Sequence, residues 1–485
     1  PVNGTIQKEV GPSPQYYKLS NNPFKNGIAS AEAKFRLQDN LDLKVVPYYW
    51  YGFGNGGVQQ KLLAENGFLN PATGKIGAAA DINGDGDTLD TIIVANASVT
   101  HTTRPGITSS LTWSVGNHTI LGGFWFERAK HDQTGTAVRV SADGVPNDYF
   151  LQDGKILRPD GVPYQSRNWK TISTAYQAFL QDTFTMMDDR LTLNVGVRTP
   201  HIKRDFTNIG NEGFNSGVTY QIEKTYNDVL PQLGARYKLT ADDQLYASVA
   251  KNMKAPPNFV FATTGTNVKL TNGVPSLVGD VKAETSVNID VGIRHQTAQW
   301  IGSFNVYSIN FKDRQATAFD PTTVTSTLTN VGEVKNNGFE IEAGNTPING
   351  WSFYGSYGYS KSEVQDDIRV TSTAFLPTAG KEMPLTPRLK AGLSAEYQTG
   401  ALWGRLKAKS TSKQAATLVN DEWAPGYTTY GVDASYTFPN FGMFKRPKLN
   451  VNVSNITNKQ YRNPSSQSVN NTTALPGISA GTLRY

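Results

Sequence analysis

The chain has 485 residues, 46 Lys plus Arg against 40 Asp plus Glu for a formal charge of +6, and no cysteine. Charge so dispersed and nearly balanced argues against a nucleic-acid partner, and the lack of thiols excludes disulfides and thiolate metal sites. No run of roughly 18 apolar residues is present for a helical membrane span. The 22 Tyr, 22 Phe, 8 Trp and 45 Gly, without a long amphipathic helix, point to an all-β chain, whose length suits one repetitive object such as a barrel.

Residues 1–27 are rich in Pro, Gly and Asn and read as a loop; Pro1 is not a native start, so an earlier part is expected to have been removed by processing or cropping. From 30 to 38, Ala31, Ala33, Phe35 and Leu37 alternate with Glu32, Lys34, Arg36 and Gln38. Period-two alternation predicts a half-buried strand. A turn at Asp39 and Asn40 leads to a strand over 41–50, and a long loop is expected at about 51–103. The unit repeats. Strands are predicted at 107–115 and 119–129, with a loop at about 130–167; at 171–186 and 191–203, with a loop at about 207–225; and at 229–239 and 245–252, with a loop at about 255–283. Further pairs fall at 284–295 with 300–314, 330–344 with 351–362, and 385–398 with 402–410, separated by loops at about 315–329, 363–384 and 411–427.

The last pair shows the pattern most plainly. Tyr430, Val432, Ala434, Tyr436 and Phe438 oppose Gly431, Asp433, Ser435 and Thr437, and Leu449, Val451 and Val453 oppose Asn450, Asn452 and Ser454. The polar side is too polar for a protein core and the apolar side is lightly built and aromatic, as in strands between lipid and a wet or plugged lumen. About sixteen strands in eight hairpins result, with short turns alternating with long loops. A transmembrane antiparallel β-barrel has this asymmetry as a rule, its turns periplasmic and its loops extracellular. A final polar loop at about 457–483 contains no pairable strand.

Three stretches resemble the barrel of a TonB-dependent outer-membrane receptor: residues 230–257 (LPQLGARYKLTADDQLYASVAKNMKAPP), 331–343 (VGEVKNNGFEIEA) and 452–461 (NVSNITNKQY), the last with Ile456 and Thr457 where Leu-Phe is usual. The resemblance implies 22 strands and an N-terminal plug. The strand at 30–38 would then be the sixth, those at 430–438 and 448–455 the twentieth and twenty-first, with five strands and the plug before residue 1 and one strand after Tyr485. It also implies uptake of a scarce ligand energised through TonB, with a ferric siderophore first and haem, cobalamin, another metal chelate or a saccharide as alternatives. Outer-membrane lipid and lipopolysaccharide are implied partners of a monomer that phage or colicin exploit. A passive porin shares the alternation and stays open as a second reading. No Ser/His/Asp order or supported pair of acids suggests an enzyme.

Site candidates follow from position. Tyr48, Tyr49, Trp50 and Tyr51 sit where a strand enters a loop; they are either interfacial belt or, for the lumen-facing Tyr48 and Trp50, a platform for an aromatic ligand. Trp125 and Arg128, with Arg36 and Arg198, are candidates to present positive charge to an anionic iron chelate, and Lys203 and Arg204 carry the same reading. The alternative is pairing with acidic groups of the plug or of neighbouring strands. Asp81, Asn83, Asp85 and Asp87 alternate around glycines like the first half of a calcium loop, but Ile92 stands where an EF-hand needs Glu; Asp90 is the substitute. The expectation is either a structural Ca2+ or a solvated acidic turn, with no cofactor otherwise required. His101, His118, His131, His201 and His295 form no short metal pattern; only His101 and His131, near one rim, are candidates for haem or a metal.

Overall fold

The computed structural model describes residues 3–462 other than 10, 12–15, 20, 214–216, 263–267, 278–281, 321–324 and 370–374. Eighteen strand segments form its main antiparallel ladder: β1 Phe24–Ser30, β2 Ala33–Gln38, β3 Leu41–Asn55, β4 Val99–Val115, β5 His118–Val138, β6 Gln165–Met186, β7 Leu191–Asn208, β8 Tyr220–Asn227, β9 Leu230–Lys238, β10 Asp243–Lys254, β11 Glu284–Gln296, β12 Trp300–Lys312, β13 Val334–Asn345, β14 Trp351–Val364, β15 Leu389–Thr399, β16 Leu402–Thr411, β17 Tyr427–Thr437 and β18 Lys448–Val453. β1 and β2 pair with β3 in one register, and β8 and β9 with β7. Each pair therefore acts as one interrupted strand, and the ladder has sixteen staves. Every neighbour along the chain pairs with the next, with β17 on β18 at one edge and β1 and β2 at the other. The two edges are not bonded to each other among the described residues. Most of the loop expected at 457–483 falls outside them.

Registers run uninterrupted over long spans, for instance from Leu41↔Trp113 to Asn55↔Val99. They fix two faces. One carries Leu43, Val45 and Tyr49 beside Ile107, Leu111 and Trp113, then Phe124 and Phe126, then Leu180, and so on to Leu393, Leu406, Tyr430 and Leu449. The other carries Thr, Ser, Asn, Gln and charged groups. Among the described residues no second layer covers the apolar face: Leu393 is 65% exposed and Leu406 62%. An unburied Leu, Val or Phe forgoes about 1.5–3 kcal/mol. Over sixteen staves that is on the order of tens of kcal/mol, which water does not tolerate and lipid supplies.

The dry cores lie instead in the loops and at the strand ends that meet them. One cluster joins Leu19, Val58, Ala95, Val99, Val138 and Leu151, and a second joins Leu63, Phe68, Val94, Ala137 and Ile156. A third is built on Trp169, Phe206, Tyr220 and Phe261, and a fourth on Val331, Val334, Val364, Leu376 and Leu418.

Several boundaries are corrected. The segment read as a loop over 1–27 already contains β1. The loops expected at 51–103, 130–167 and 207–225 contract to 56–98, 139–164 and 209–219, because β3 to β8 run on past the apolar positions. The alternation signal stopped where the apolar face turned charged, at Arg128, Lys130 and Asp132 or at Lys203 and Asp205. Ladder hydrogen bonds need no apolar side chain and continue. The loops also hold hairpins of their own, such as Gln59–Ala64 with Thr91–Asn96 and Val268–Thr271 with Val274–Leu277.

Candidate functional site

At the loop-ward end of the polar face, β3, β4 and β5 bring three expected residues together. Tyr48 lies opposite Gly106 and one strand from Glu127, and Trp50 lies opposite Arg104. The Tyr48 hydroxyl donates to Glu127 Oε2 at 2.7 Å and accepts from Trp125 Nε1 at 2.9 Å. Arg104 clamps the same carboxylate, with Nη2 at 2.8 Å from Oε1, and its guanidinium lies 5.9 Å from the Trp50 ring centre. A β-carbon on Gly106 would sit 2.3 Å from Tyr48 Cζ, so the glycine is what lets the ring lie flat across the sheet. Tyr48 and Trp125 spend their polar atoms within the protein, leaving ring faces as their binding surface.

Arg128 and Lys203 do not join this group. Both are register neighbours of Thr174, on the apolar face of the sheet. Trp125 with Arg128, and Arg198 with Lys203, are an odd number of residues apart along extended strands, and therefore point to opposite faces. The expectation of one cationic site containing Arg128 and Lys203 is corrected on that ground; Lys203 instead pairs with Glu223 at 2.8 Å. Arg36 is on the polar face but far along β2 toward the short turns, facing Asp42 at 3.6 Å. The two rim histidines separate as well. His101 packs against Tyr51 and Phe53 on the apolar face, and His131 Nδ1 meets Thr102 Oγ1 at 2.5 Å on the polar one.

Further cations are spread along the polar face of β6 and β7: Arg204 is opposite Ser173, six residues from Arg198 on one strand, and Arg167 is six residues beyond Ser173 on the other. Arg198 Nη2 donates to Asn252 Oδ1 at 3.0 Å, and Arg204 Nη1 donates to Ser173 Oγ at 3.1 Å and to Asn258 Oδ1. The Nε of each is buried with no acceptor in the protein. Arg167 donates to Ser98 Oγ at 2.7 Å and stacks 4.3 Å over Trp169. Burial, with the Arg167 charge adding to it, pushes the Lys61 ammonium below its ordinary value. Among the described residues none of Lys61, Arg167, Arg198 and Arg204 has a carboxylate partner. Trp169, Phe206, Tyr220 and Phe261 form an aromatic wall next to them, with Trp169 and Phe206 ring centres 5.8 Å apart. Lys61 and Arg167 escaped the sequence reading because neither stands in an alternating stretch: Arg167 lies at the start of β6, beyond its apolar positions, and Lys61 is brought near it by the fold of the 56–98 loop.

The acidic loop is ordered by its own backbone. Asp81 accepts from the N–H groups of Gly84 at 2.6 Å and Gly86 at 2.9 Å, and Asn83 Oδ1 accepts from Asp85 N at 3.0 Å. Asp85 Oδ2 accepts from Gln7 Nε2 at 3.2 Å, Asp87 Oδ2 from Gly4 N at 2.5 Å, and Asp90 Oδ1 from Gln7 N at 2.6 Å. One carboxylate oxygen each from Glu65, Asp87 and Asp90 lie within 4.8 Å of one another. Glu65 is fully buried and also accepts from Ile82 N at 2.6 Å. An all-oxygen set of this kind fits a hard divalent cation such as Ca2+ and not a soft metal. Glu65 comes from outside the motif, so no spacing rule could find it.

The profile of the family described as "TonB dependent receptor-like, beta-barrel" matches residues 3–456. The pesticin receptor of Yersinia enterocolitica is 26% identical over 307 residues, 62% of this chain and 42% of that protein. A probable TonB-dependent siderophore receptor, PiuA of Acinetobacter baumannii, is 25% identical over 255 residues, 51% of this chain and 32% of that one. The matched stretches therefore span less than half the length of these relatives. The crystal structure of the siderophore receptor PiuA superimposes with a TM-score of 0.64 at 18% identity, covering 90% of this chain and 61% of the other, a likeness of fold.

Proposed function

Because this chain belongs to the TonB-dependent receptor-like β-barrel family, we propose that its sixteen staves are part of the closed barrel of a receptor-transporter that captures an anionic ferric chelate of the siderophore kind. The location is the outer membrane of a Gram-negative bacterium. The apolar face meets lipid, the polar face lines the lumen, the long loops 56–98, 139–164, 209–219, 255–283, 313–333, 365–388 and 412–426 face outward, and a plug drawn on by TonB gates passage. The work is binding and gated movement, with no bond made or broken. The name of the probable PiuA receptor supports a siderophore, and that of the pesticin receptor supports a protein toxin using the same loops as a landing site.

The observation that carries the cargo class is a row of cations without a carboxylate partner among the described residues, Arg198 and Arg204 along the polar face of β7 and Arg167 with Lys61 at its loop-ward end, where Arg167 stacks on Trp169 of an aromatic wall. A charged group desolvated without a partner is costly, and an anion repays that cost. Tyr48, Trp50 and Trp125 extend the aromatic surface. A porin needs neither the wall nor the unpaired arginines. The test is binding of a panel of ferric chelates to the purified receptor, with growth of a deletion strain under iron limitation. Arg198→Ala with Arg204→Ala should weaken the recognised chelate more than tenfold, with folding unchanged. Rescue by cobalamin or a sugar, and by no iron chelate, would sink the assignment.

A structural Ca2+ held by Glu65, Asp87 and Asp90 with Asp81, Asn83 and Asp85 near it is the reading for the acidic loop, favoured by the convergence of two buried carboxylates with a third. It would bind the loop to the segment containing Gly4 and Gln7.

A further inference from the structure

On the short-turn side of the sheet the connections at 39–40, 116–117, 187–190, 239–242, 297–299, 346–350 and 400–401 are brief. The one between β17 and β18 is not. Residues 438–447 read Phe-Pro-Asn-Phe-Gly-Met-Phe-Lys-Arg-Pro. They are folded: Phe438 N donates to Pro447 O at 2.8 Å, Phe441 N to Phe444 O at 3.0 Å and Phe444 N to Phe441 O at 2.9 Å. The last two bonds close a tight turn at Gly442 and Met443, with Gly442 at φ +54°. Arg446 N donates to Asn440 Oδ1 at 3.1 Å and squares off the base.

What this small hairpin presents is unusual for a water-facing turn. Phe441 is 74% exposed, Met443 88% and Phe444 59%. Lys445, Arg446 and Lys448 follow at once, 438–448 holds no acidic residue, and none of these three cations has an ion-pair partner among the described residues. The tip is also continuous with the apolar face: Phe438 extends the row of Tyr430, Val432, Ala434 and Tyr436, and meets Tyr436 edge-on at 4.7 Å between ring centres. A convex apolar tip, joined to a lipid-facing band and rimmed by unpaired cations, has the make-up of an interfacial anchor. Its rings and thioether suit the acyl boundary, and its cations suit the phosphate plane.

We propose that the 438–448 turn dips into the periplasmic leaflet of the membrane and gathers anionic phospholipid headgroups there. This rests on the reading of the sheet as a membrane-spanning barrel. A periplasmic protein is the competing occupant, but it calls for a complementary groove or acidic surface, whereas continuity with the band favours lipid.

These 485 residues contain no cysteine, so one introduced here is the only labelling site among them. The receptor with Met443→Cys, and separately with Leu406→Cys in the band, is labelled with an environment-sensitive fluorophore. Each is reconstituted into phosphatidylethanolamine vesicles with and without phosphatidylglycerol. The Met443 label should be blue-shifted and quenched by brominated acyl chains, more strongly with phosphatidylglycerol. Lys445→Glu with Arg446→Glu and Lys448→Glu should remove that added effect and lower the phosphatidylglycerol co-purified with the receptor several-fold. A quenched Leu406 label beside a water-like Met443 label overturns the anchor alone; two unquenched labels mean that the membrane-spanning reading itself has failed. A Met443 label that shifts only when periplasmic extract is added identifies a protein site and also overturns the proposal.

Discussion

Single residues in this chain are assigned to the apolar face, the polar face or a loop by parity more than by chemistry. Arg128 and Arg198 look alike in sequence, yet one shares a face with Phe126 and the other with Pro200 and Phe206. Parity was countable from the strands and would have separated Trp125 from Arg128 at once. The partners of each cation were not countable, because Arg104 meets Glu127 across the ladder and Lys18 meets Asp143 across two loops, the latter at 2.7 Å. The loop ion pairs carry a pH signature. The Lys18 ammonium, then Ser141, hold the Asp143 carboxyl below its ordinary value, and Arg158 does the same for Asp160. A carboxylate whose pKa is depressed on folding stabilises at pH above its unfolded value, and that contribution is lost as pH falls through the folded value. Hydrogen exchange at 141–145 and 158–163, corrected for intrinsic rates, should therefore be unchanged from pH 7 to 5 and faster relative to the strands below about pH 3. Protection that persists at pH 2 would remove these pairs from the account.

At the scale of the element, the staves were legible and their ends were not. Alternation with tight turns, such as Gly116 and Asn117 or Asp188 and Asp189, marked every hairpin, and Met187, Asp188 and Asp189 all take positive φ there. The pattern disappears where a strand leaves the apolar layer, although β5 and β6 stay paired up to Gln165↔Thr136. The loop hairpins were invisible for a related reason: in Gln59–Ala64 the buried positions are Gln60 and Leu63, and in Thr91–Asn96 they run together over Val94, Ala95 and Asn96, so neither strand alternates. The faces themselves make a sharp prediction. Leu406, on the apolar face, is 62% exposed, whereas Ser394 is across the strand pair on the polar face. Leu406→Lys should cost about 2–4 kcal/mol at mid-membrane, seen as loss of the heat-modifiable band on unboiled gels, while Ser394→Lys should retain it. Equal damage from both substitutions would contradict the assignment of faces.

The whole molecule divides into a two-faced sheet and a set of loops with cores of their own, and the loops are tied to one another by those cores and by polar contacts. Glu212 makes one such set of contacts. Its side chain is 1% exposed, and its carboxylate accepts from Gln165 N at 2.8 Å and Leu69 N at 3.4 Å while facing Arg158 Nη1 at 3.5 Å. It thus joins the 56–98, 139–164 and 209–219 loops in one place. Gly217 and Gly74 meet backbone to backbone nearby, so closely that a β-carbon on Gly217 would fall 1.8 Å from Gly74 O. No sequence pattern announces such a residue, because its meaning comes from three loops meeting at one carboxylate. Glu212→Ala would leave two buried N–H groups unsatisfied and strip Arg158, itself 10% exposed, of one partner. The cap should loosen by about 3 kcal/mol. Hydrogen exchange should rise across 68–76 and 156–165 and stay unchanged in β13 to β16, which these loops do not touch. Chelate binding should weaken with faster dissociation, since Lys61 lies in the 56–98 loop and Arg167 two residues after Gln165, whose N–H donates to Glu212. Faster exchange throughout the sheet would make Glu212 a general stability determinant, and unchanged exchange in the loops would mean that the hydrophobic clusters hold them together without it.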